Sequence, residues 1–126
     1  MDAFELGHWL YEEYAPYIEA YWDAPKSLEE LQADALNPSK GYDIHHIVEK
    51  APARRGGFPE ELINGPENLV RISRLKHWEL TAWSMTPNPE YGWLTPRQYA
   101  DQMPNWDERT RLGINALRRR GLLRDD

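Results

Sequence analysis

The feature that most limits the possible folds is the small amount of strand-forming sequence. Only residues 42–48 and 68–72 combine strand length with enrichment in β-branched and aromatic residues. The remaining chain carries apolar residues at helical spacing, interrupted by turns rich in proline, glycine and asparagine. Because two short strands cannot form a large sheet, the sequence predicts an α+β fold that is mostly helical, with a small β-hairpin.

Helical patterns occupy most of the chain outside the two strands. They predict helices in five places, namely residues 3–22, 27–36, 74–85, a segment beginning after Thr95-Pro96, and a segment opening at Asn105 or Asp107. Residues 52–57 are rich in glycine and arginine, so we expect a loop there, followed by one helical turn.

The first predicted helix is rich in aromatic residues. Its large apolar side chains are the candidate core residues of this segment, namely Phe4, Trp9, Leu10, Tyr14, Tyr17, Ile18 and Tyr21. Pro16 is expected to kink or divide the helix, because proline lacks the amide hydrogen that continues the ladder.

Length and composition indicate one domain without a membrane span. The chain has 126 residues, and we divide it into an acidic helical segment, residues 1–41, and a core, residues 42–126. It has no stretch of about 20 apolar residues, the length that crosses a bilayer. Because the sequence contains no cysteine, a metal would need histidine, carboxylate, amide or water ligands.

Charge is distributed unevenly along the sequence. The formal net charge is −6, which argues against nucleic acid as a partner, but 11 acids and 3 bases lie in residues 1–50. Residues 51–126 hold 10 acids and 12 bases, a balance of +2. A local basic face could therefore still meet phosphates.

The most distinctive chemical feature is the pair His45-His46 within the first predicted strand. Neighbouring side chains of a strand point to opposite faces, so the two rings can serve different purposes. One imidazole could bind a metal while the other moves a proton. Taken alone, two adjacent histidines are more often partly buried side chains that form hydrogen bonds with backbone carbonyl groups.

Two further residues give the doublet a context. Asn68 begins the second strand after a loop of about twenty residues, and His77 follows nine residues later on the next predicted helix. This order resembles the HNH, or ββα-metal, endonuclease superfamily, in which a hairpin and a helix hold one divalent metal. The resemblance covers residues 42–123, about two thirds of the chain, and is closest to bacterial toxin nuclease domains.

The resemblance implies a role for each motif residue. His45 and His77 would be metal ligands, His46 would be the general base, and Asn68 would orient the loop and His46. The implied reaction is hydrolysis of a phosphodiester bond by an activated water, giving 5′-phosphate and 3′-hydroxyl ends.

The chain departs from the family pattern at one position. Many relatives carry a third metal ligand four residues after the helical histidine, and Thr81 stands there in this chain. A site of two histidines and waters, with Glu49 or Asp43 as candidate additional ligands, is therefore expected. Such a site would take Mg²⁺ or Mn²⁺ in the cell, with Zn²⁺ or Ni²⁺ as alternatives.

Residues that flank the motif are candidate contacts for nucleic acid. Arg71, Arg74 and Lys76 could bind backbone phosphates, although solvent exposure is an equally good interpretation for each one. Four tryptophans could stack on bases, but their helical spacing favours core packing, namely Trp78, Trp83, Trp93 and Trp106. Because no recognition helix or zinc finger is evident, we expect DNA cleavage with little sequence specificity.

Two alternatives stay open at this point. The same scaffold could cleave RNA, or the domain could be a non-catalytic binding or assembly module. The resemblance to toxin domains also implies action in the cytoplasm of a target cell, delivery as part of a larger effector, and a cognate immunity protein as partner.

Overall fold

The computed structural model describes residues 1–125 and has an α+β fold that is mostly helical. Within these residues, seven α-helices surround one two-stranded antiparallel sheet, which confirms the predicted fold class. In chain order the elements are α1 (Ala3–Tyr21), α2 (Leu28–Asp34), β1 (Tyr42–His46), α3 (Lys50–Arg55), α4 (Glu60–Ile63), β2 (Leu69–Ser73), α5 (Arg74–Ser84), α6 (Pro96–Asp101) and α7 (Trp106–Arg119).

The sheet is the predicted hairpin, with His45 opposite Val70 and His46 opposite Leu69. Helix α5 follows β2 without an intervening loop. Ser73 makes this direct transition possible, because its Oγ accepts a hydrogen bond 3.2 Å long from the Lys76 amide and caps the helix. The hairpin and α5 together form a ββα unit.

Local capping signals correctly predicted several other helix starts. Thr95 and Gln98 form a reciprocal capping box at α6, and Pro96 occupies the first helical position. Asn105, rather than Asp107, caps α7 by accepting a hydrogen bond 2.8 Å long from the Glu108 amide.

The main core lies between the hairpin and the helices around it. Its buried members are Leu31, Ile47, Val70, Ile72, Leu80, Ala116, Leu117, Leu122 and Leu123. Leu31 comes from the acidic segment, residues 1–41, which therefore contributes to the same core as residues 42–125. A backbone pairing of Lys26 with Leu123 also joins the two parts of the chain.

The prediction of a loop over residues 52–57 was wrong, because Lys50–Arg55 forms helix α3. Tertiary packing explains this helix. Ala53 is fully buried in a second, smaller core cluster with Val48 and Ile63, against which Phe58 and Trp106 pack. Pro52 is compatible with the first turn of a helix, where the missing amide hydrogen costs little.

The predicted burial of the first helix was also largely wrong. Residues 1–12 are all exposed; Phe4 is 83% exposed and Trp9 49%, and Ala20 is the buried residue of α1. Helix α1 also continues through Pro16. Of the four tryptophans assigned to the core, Trp83 and Trp106 pack against core clusters, whereas Trp78 and Trp93 are exposed.

In the part of the chain that the structure describes, no helix combines the length and the apolar character that crossing a bilayer requires.

A glycine of α7 fixes how closely this helix approaches the histidine strand. A Cβ at Gly113 would lie 2.3 Å from the Ile47 carbonyl oxygen and 2.7 Å from Ile47 Cγ2. We expect Gly113→Ala to lower the free energy of unfolding by about 1–3 kcal/mol in urea denaturation, the usual cost of overpacking.

Gly7 provides a matched control because it is also helical and a Cβ there would meet no atom within 4 Å. Gly7→Ala should keep or raise stability by up to about 1 kcal/mol, since alanine favours helix. Equal stability of the two variants would contradict a close contact between α7 and β1.

Candidate metal and catalytic site

The hairpin and α5 bring His45 and His77 face to edge. Their ring centroids are 5.1 Å apart and the ring planes meet at 71°. This contact arises because His45 projects from the face of β1 that α5 covers, and His77 lies in the first turns of that helix.

The separation of the two rings suits two imidazoles that share one cation. A histidine nitrogen lies about 2.0–2.1 Å from a bound zinc ion, and the ring centroid is about 1 Å further away. Two rings at a tetrahedral angle around one ion would then have centroids about 5 Å apart. The observed 5.1 Å is close to this value and is equally the separation of two rings in direct edge-to-face contact, so the pair of ligands stays a prediction.

The carboxylate of Asp43 orients the His77 ring through a hydrogen bond with Nδ1. Its Oδ2 accepts a hydrogen bond 2.9 Å long from Nδ1 of His77, and its Oδ1 accepts one 2.8 Å long from Nε of Arg74. With Nδ1 donating to a carboxylate, Nε2 of His77 keeps the lone pair that a cation needs. Burial alone would raise the pKa of Asp43, but the hydrogen bonds from His77 and Arg74 hold that pKa below its usual value.

His45 is uncharged at neutral pH. Burial, with a smaller contribution from the neighbouring His77 and His46 rings, lowers the pKa of His45 to about 3. A neutral imidazole is the form that binds metals, so protons would not compete with a cation at this ring near pH 7.

His46 belongs to a different hydrogen-bond chain. Its Nε2 lies 3.0 Å from Oδ1 of Asn64, and Nδ2 of Asn64 donates to Glu60 at 2.8 Å. Arg54 in turn binds Glu60 with Nε–Oε1 at 2.6 Å. Because the Asn64 amide is oriented by Glu60, its oxygen faces His46, so Nε2 of His46 carries the proton. Nδ1 of His46 is then the basic nitrogen.

Asn68 fixes the backbone on both sides of the loop between the strands. Its buried side chain accepts a 2.8 Å hydrogen bond from the Val48 amide, and its Nδ2 donates to the carbonyl oxygens of Val48, at 3.1 Å, and Ile63, at 2.9 Å. The predicted influence on the loop is therefore direct. The partner of His46 is Asn64 rather than Asn68, so any effect of Asn68 on that ring passes through the backbone.

The other candidate ligands have different surroundings. Glu49 forms a bidentate pair with Arg97, with distances of 3.1 and 2.7 Å, and Asp43 is engaged by His77 and Arg74. Thr81 is exposed and lines the same cavity as the histidines. Among residues 1–125, no group of three or more His, Cys, Asp or Glu side chains is arranged to hold a metal ion.

The three candidate phosphate-binding residues, Arg71, Arg74 and Lys76, contact other side chains and backbone groups of the protein. Arg71 donates to the Asn37 carbonyl at 2.7 Å and stacks over Tyr42, while Arg74 binds Asp43. Lys76 lies 5.4 Å from the ring centroid of Tyr21. In the described chain, none of the three lines the cavity beside the histidines, and Arg71 and Lys76 border a separate small pocket.

A cavity of about 370 Å³ opens beside the histidines. His45, His46 and His77 all line it, together with Arg97 and residues of α6 and α7. Its volume falls within the range of small-molecule sites, about 300–1,000 Å³. The arrangement therefore brings the contacting rings of His45 and His77 and the ring of His46 to one solvent-accessible space.

Sequence reasoning missed two residues at this site. In the sequence, Asn64 stands in an Asn-Gly-Pro segment typical of a turn, and Arg97 follows the Thr95-Pro96 helix start. No local signal distinguishes them, since their partners His46 and Glu49 lie 18 and 48 residues away in the chain.

The comparisons with known proteins do not extend this description. No protein-family model, no curated protein and no solved structure matches the chain.

The two asparagines should differ in their effect on stability. Asn68→Ala leaves the amide of Val48 and the carbonyls of Val48 and Ile63 without their partner. We expect a loss of about 2–4 kcal/mol in the free energy of unfolding, since each buried unsatisfied group costs about 1–3 kcal/mol.

Asn64→Ala is the matched control, because Asn64 is exposed. It should cost less than about 1 kcal/mol in the same denaturation experiment. Similar losses for both variants would show that Asn68 does not hold the loop.

Proposed function

We propose that this protein is a metal-dependent HNH-type endonuclease that hydrolyses phosphodiester bonds of DNA with little sequence specificity. The observation that carries the proposal is the His45–His77 pair, backed by Asp43 and bordering the same cavity as His46. A carboxylate–histidine pair of this kind is typical of metal-ligating histidines. The order of residues that resembles the HNH superfamily supports the same reaction.

His46 is the residue suited to take a proton from water. Asn64 holds Nε2–H of His46, so Nδ1 is the nitrogen with an available lone pair. The chain from Arg54 through Glu60 and Asn64 restricts rotation of this ring. An oriented general base accelerates proton transfer because no further ordering is needed when the water attacks.

His45 and His77 would hold the divalent cation, with water and phosphate oxygens as the other ligands. When bound, such an ion supplies Lewis-acid stabilisation of the charge that develops on the scissile phosphate. The chain's own contribution is to present one neutral imidazole, His45, and a second that Asp43 keeps in one tautomer. Mg²⁺ or Mn²⁺ would suit an open site with few protein ligands.

A non-catalytic binding or assembly module is the second candidate. The observation that favours it is that, within residues 1–125, no group of three or more His, Cys, Asp or Glu side chains is arranged to hold a metal ion. RNA is the alternative substrate on the same scaffold. Resemblance to toxin domains supports cytoplasmic action after delivery by a larger effector, and inhibition by an immunity protein.

Substitution of His45 and substitution of His46 should have different effects on metal binding and on cleavage. His45→Ala removes a ligand, so we expect Mn²⁺ affinity measured by calorimetry to fall by more than about 100-fold, beyond the 10–100-fold typical of residues behind a ligand. His46→Ala should keep Mn²⁺ affinity and lose plasmid cleavage by about 10²–10⁴-fold, the usual contribution of a general base.

His8→Ala is the control, because His8 lies on exposed α1 and should change neither property. Failure of the unmodified protein to cleave DNA or RNA with any of Mg²⁺, Mn²⁺, Zn²⁺ or Ni²⁺ would overturn the enzymatic proposal. Cleavage by His46→Ala at the original rate would overturn the assignment of the base.

Removing the charge of Asp43 should weaken the metal site without removing a ligand. We expect Asp43→Asn to lower Mn²⁺ affinity about 10–100-fold, because His77 loses the carboxylate that orients it and makes it more basic.

Glu49→Gln is the matched control, since it also removes one partly buried carboxylate that is paired with an arginine. Its Mn²⁺ affinity should stay within about threefold, well below the loss typical of a residue behind a metal ligand. A larger loss for Glu49→Gln than for Asp43→Asn would identify Glu49 as a ligand instead.

A further inference from the structure

The cavity beside the histidines has an aromatic part in addition to its polar part. Tyr91 and Tyr99 stack with ring centroids 4.6 Å apart and an interplanar angle of 26°. Trp83 meets Tyr91 edge to face at 6.3 Å. All three residues line the same cavity as His45 and His77.

The two tyrosines are not part of either core cluster. Both are partly exposed, unlike the buried residues that form the two clusters. Within residues 1–125, neither phenol hydroxyl has a hydrogen-bond partner, and burial raises the pKa of Tyr91, which keeps its hydroxyl protonated. The two tyrosines therefore contribute stacked aromatic rings and phenol hydroxyls to the lining of a solvent-accessible cavity.

The polar part of the cavity also includes the carboxylates of Glu49 and Asp101, so it would suit a phosphate when a cation is bound on the histidines. His45, His46 and His77 lie there, and Arg97 contributes a guanidinium that is paired with Glu49. One nucleotide could place its phosphate near a cation held by the histidines and its base on the aromatic rings. The cavity, about 370 Å³, lies in the size range of small-ligand sites.

We propose that this cavity accepts one unpaired nucleotide, with its base against the Tyr91–Tyr99 pair and its phosphate toward the histidines. The preferred substrate is therefore single-stranded nucleic acid. This inference rests on the proposed function and adds the form of the substrate. In a duplex each base is paired and stacked, so entry into the cavity would require flipping the nucleotide out of the helix. Aromatic stacking also tolerates any base, which agrees with little sequence specificity.

The test compares one end-labelled 20-nucleotide strand, alone and in a duplex, with Mn²⁺ and with Mg²⁺. We expect the single strand to be cleaved at least about tenfold faster, because the duplex must first be unstacked and unpaired. Equal cleavage of the two forms, or faster cleavage of the duplex, would overturn the inference and leave the proposed hydrolysis intact.

Substitutions of Tyr99 test the aromatic part directly. Tyr99→Ala should slow cleavage of the single strand by about 5–150-fold, the effect of losing one base–aromatic stack, while Tyr99→Phe should stay within about twofold. Tyr11→Ala is the control, because Tyr11 is 66% exposed on α1. Tyr99→Leu replaces the variant if alanine disturbs folding, as judged by circular dichroism, since leucine fills space without an aromatic face.

Binding separates the two proposals if the protein cleaves nothing. Fluorescence anisotropy in EDTA measures the affinity for a labelled oligothymidine strand and for a duplex. Tighter binding of the single strand that Tyr99→Ala weakens at least fivefold, but Tyr99→Phe does not, would support the cavity and count against hydrolysis. Single-strand binding that is no tighter than duplex binding, or that Tyr99→Ala leaves unchanged, would overturn the inference.

Discussion

The buried amide of Asn68 is the interaction on which the arrangement of the site depends. Its three hydrogen bonds join the residue just before β2 to Val48, just after β1, and to Ile63 at the end of α4. The segment between the strands is thereby closed against the hairpin. Asn64, which immediately follows Ile63, consequently meets His46. A buried side-chain amide that makes all of these hydrogen bonds contributes more to stability than an amide exposed to water, because its partners would otherwise be buried and unsatisfied.

A second, independent arrangement sets the properties of the His45 and His77 rings. Asp43 and His45 project from the same face of β1, so the strand itself delivers both toward α5. Asp43 meets His77 through its carboxylate, and His45 meets His77 through its ring. Asp43 thus orients His77, and His45, two positions later in the strand, supplies the second imidazole. The alternation of a strand also sends His46 toward the separate Asn64–Glu60 chain.

Local signals predicted the fold well where the cause was local. Thr95 caps α6 and Ser73 caps α5, because a hydroxyl can accept a hydrogen bond from the amide three residues later whatever the rest of the chain does. Predictions failed where distant residues decide. Helix α3 depends on burial of Ala53 beside Ile63, and the aromatic residues of α1 have helical spacing but no partner surface over residues 1–12. Periodicity indicates which face could be buried, but not whether another element covers it.

The sequence by itself determined the ββα unit, because strand patterning and helix capping act within a few residues. The resemblance to the HNH superfamily implied that His45 and His77 would lie together, and their rings are in contact. Only the tertiary structure decided that Asp43 backs His77, that Asn64 holds His46, and that Tyr91 and Tyr99 border the same cavity. The first two contacts join residues 34 and 18 positions apart, and the geometry of all three features follows from how whole elements pack rather than from any local pattern.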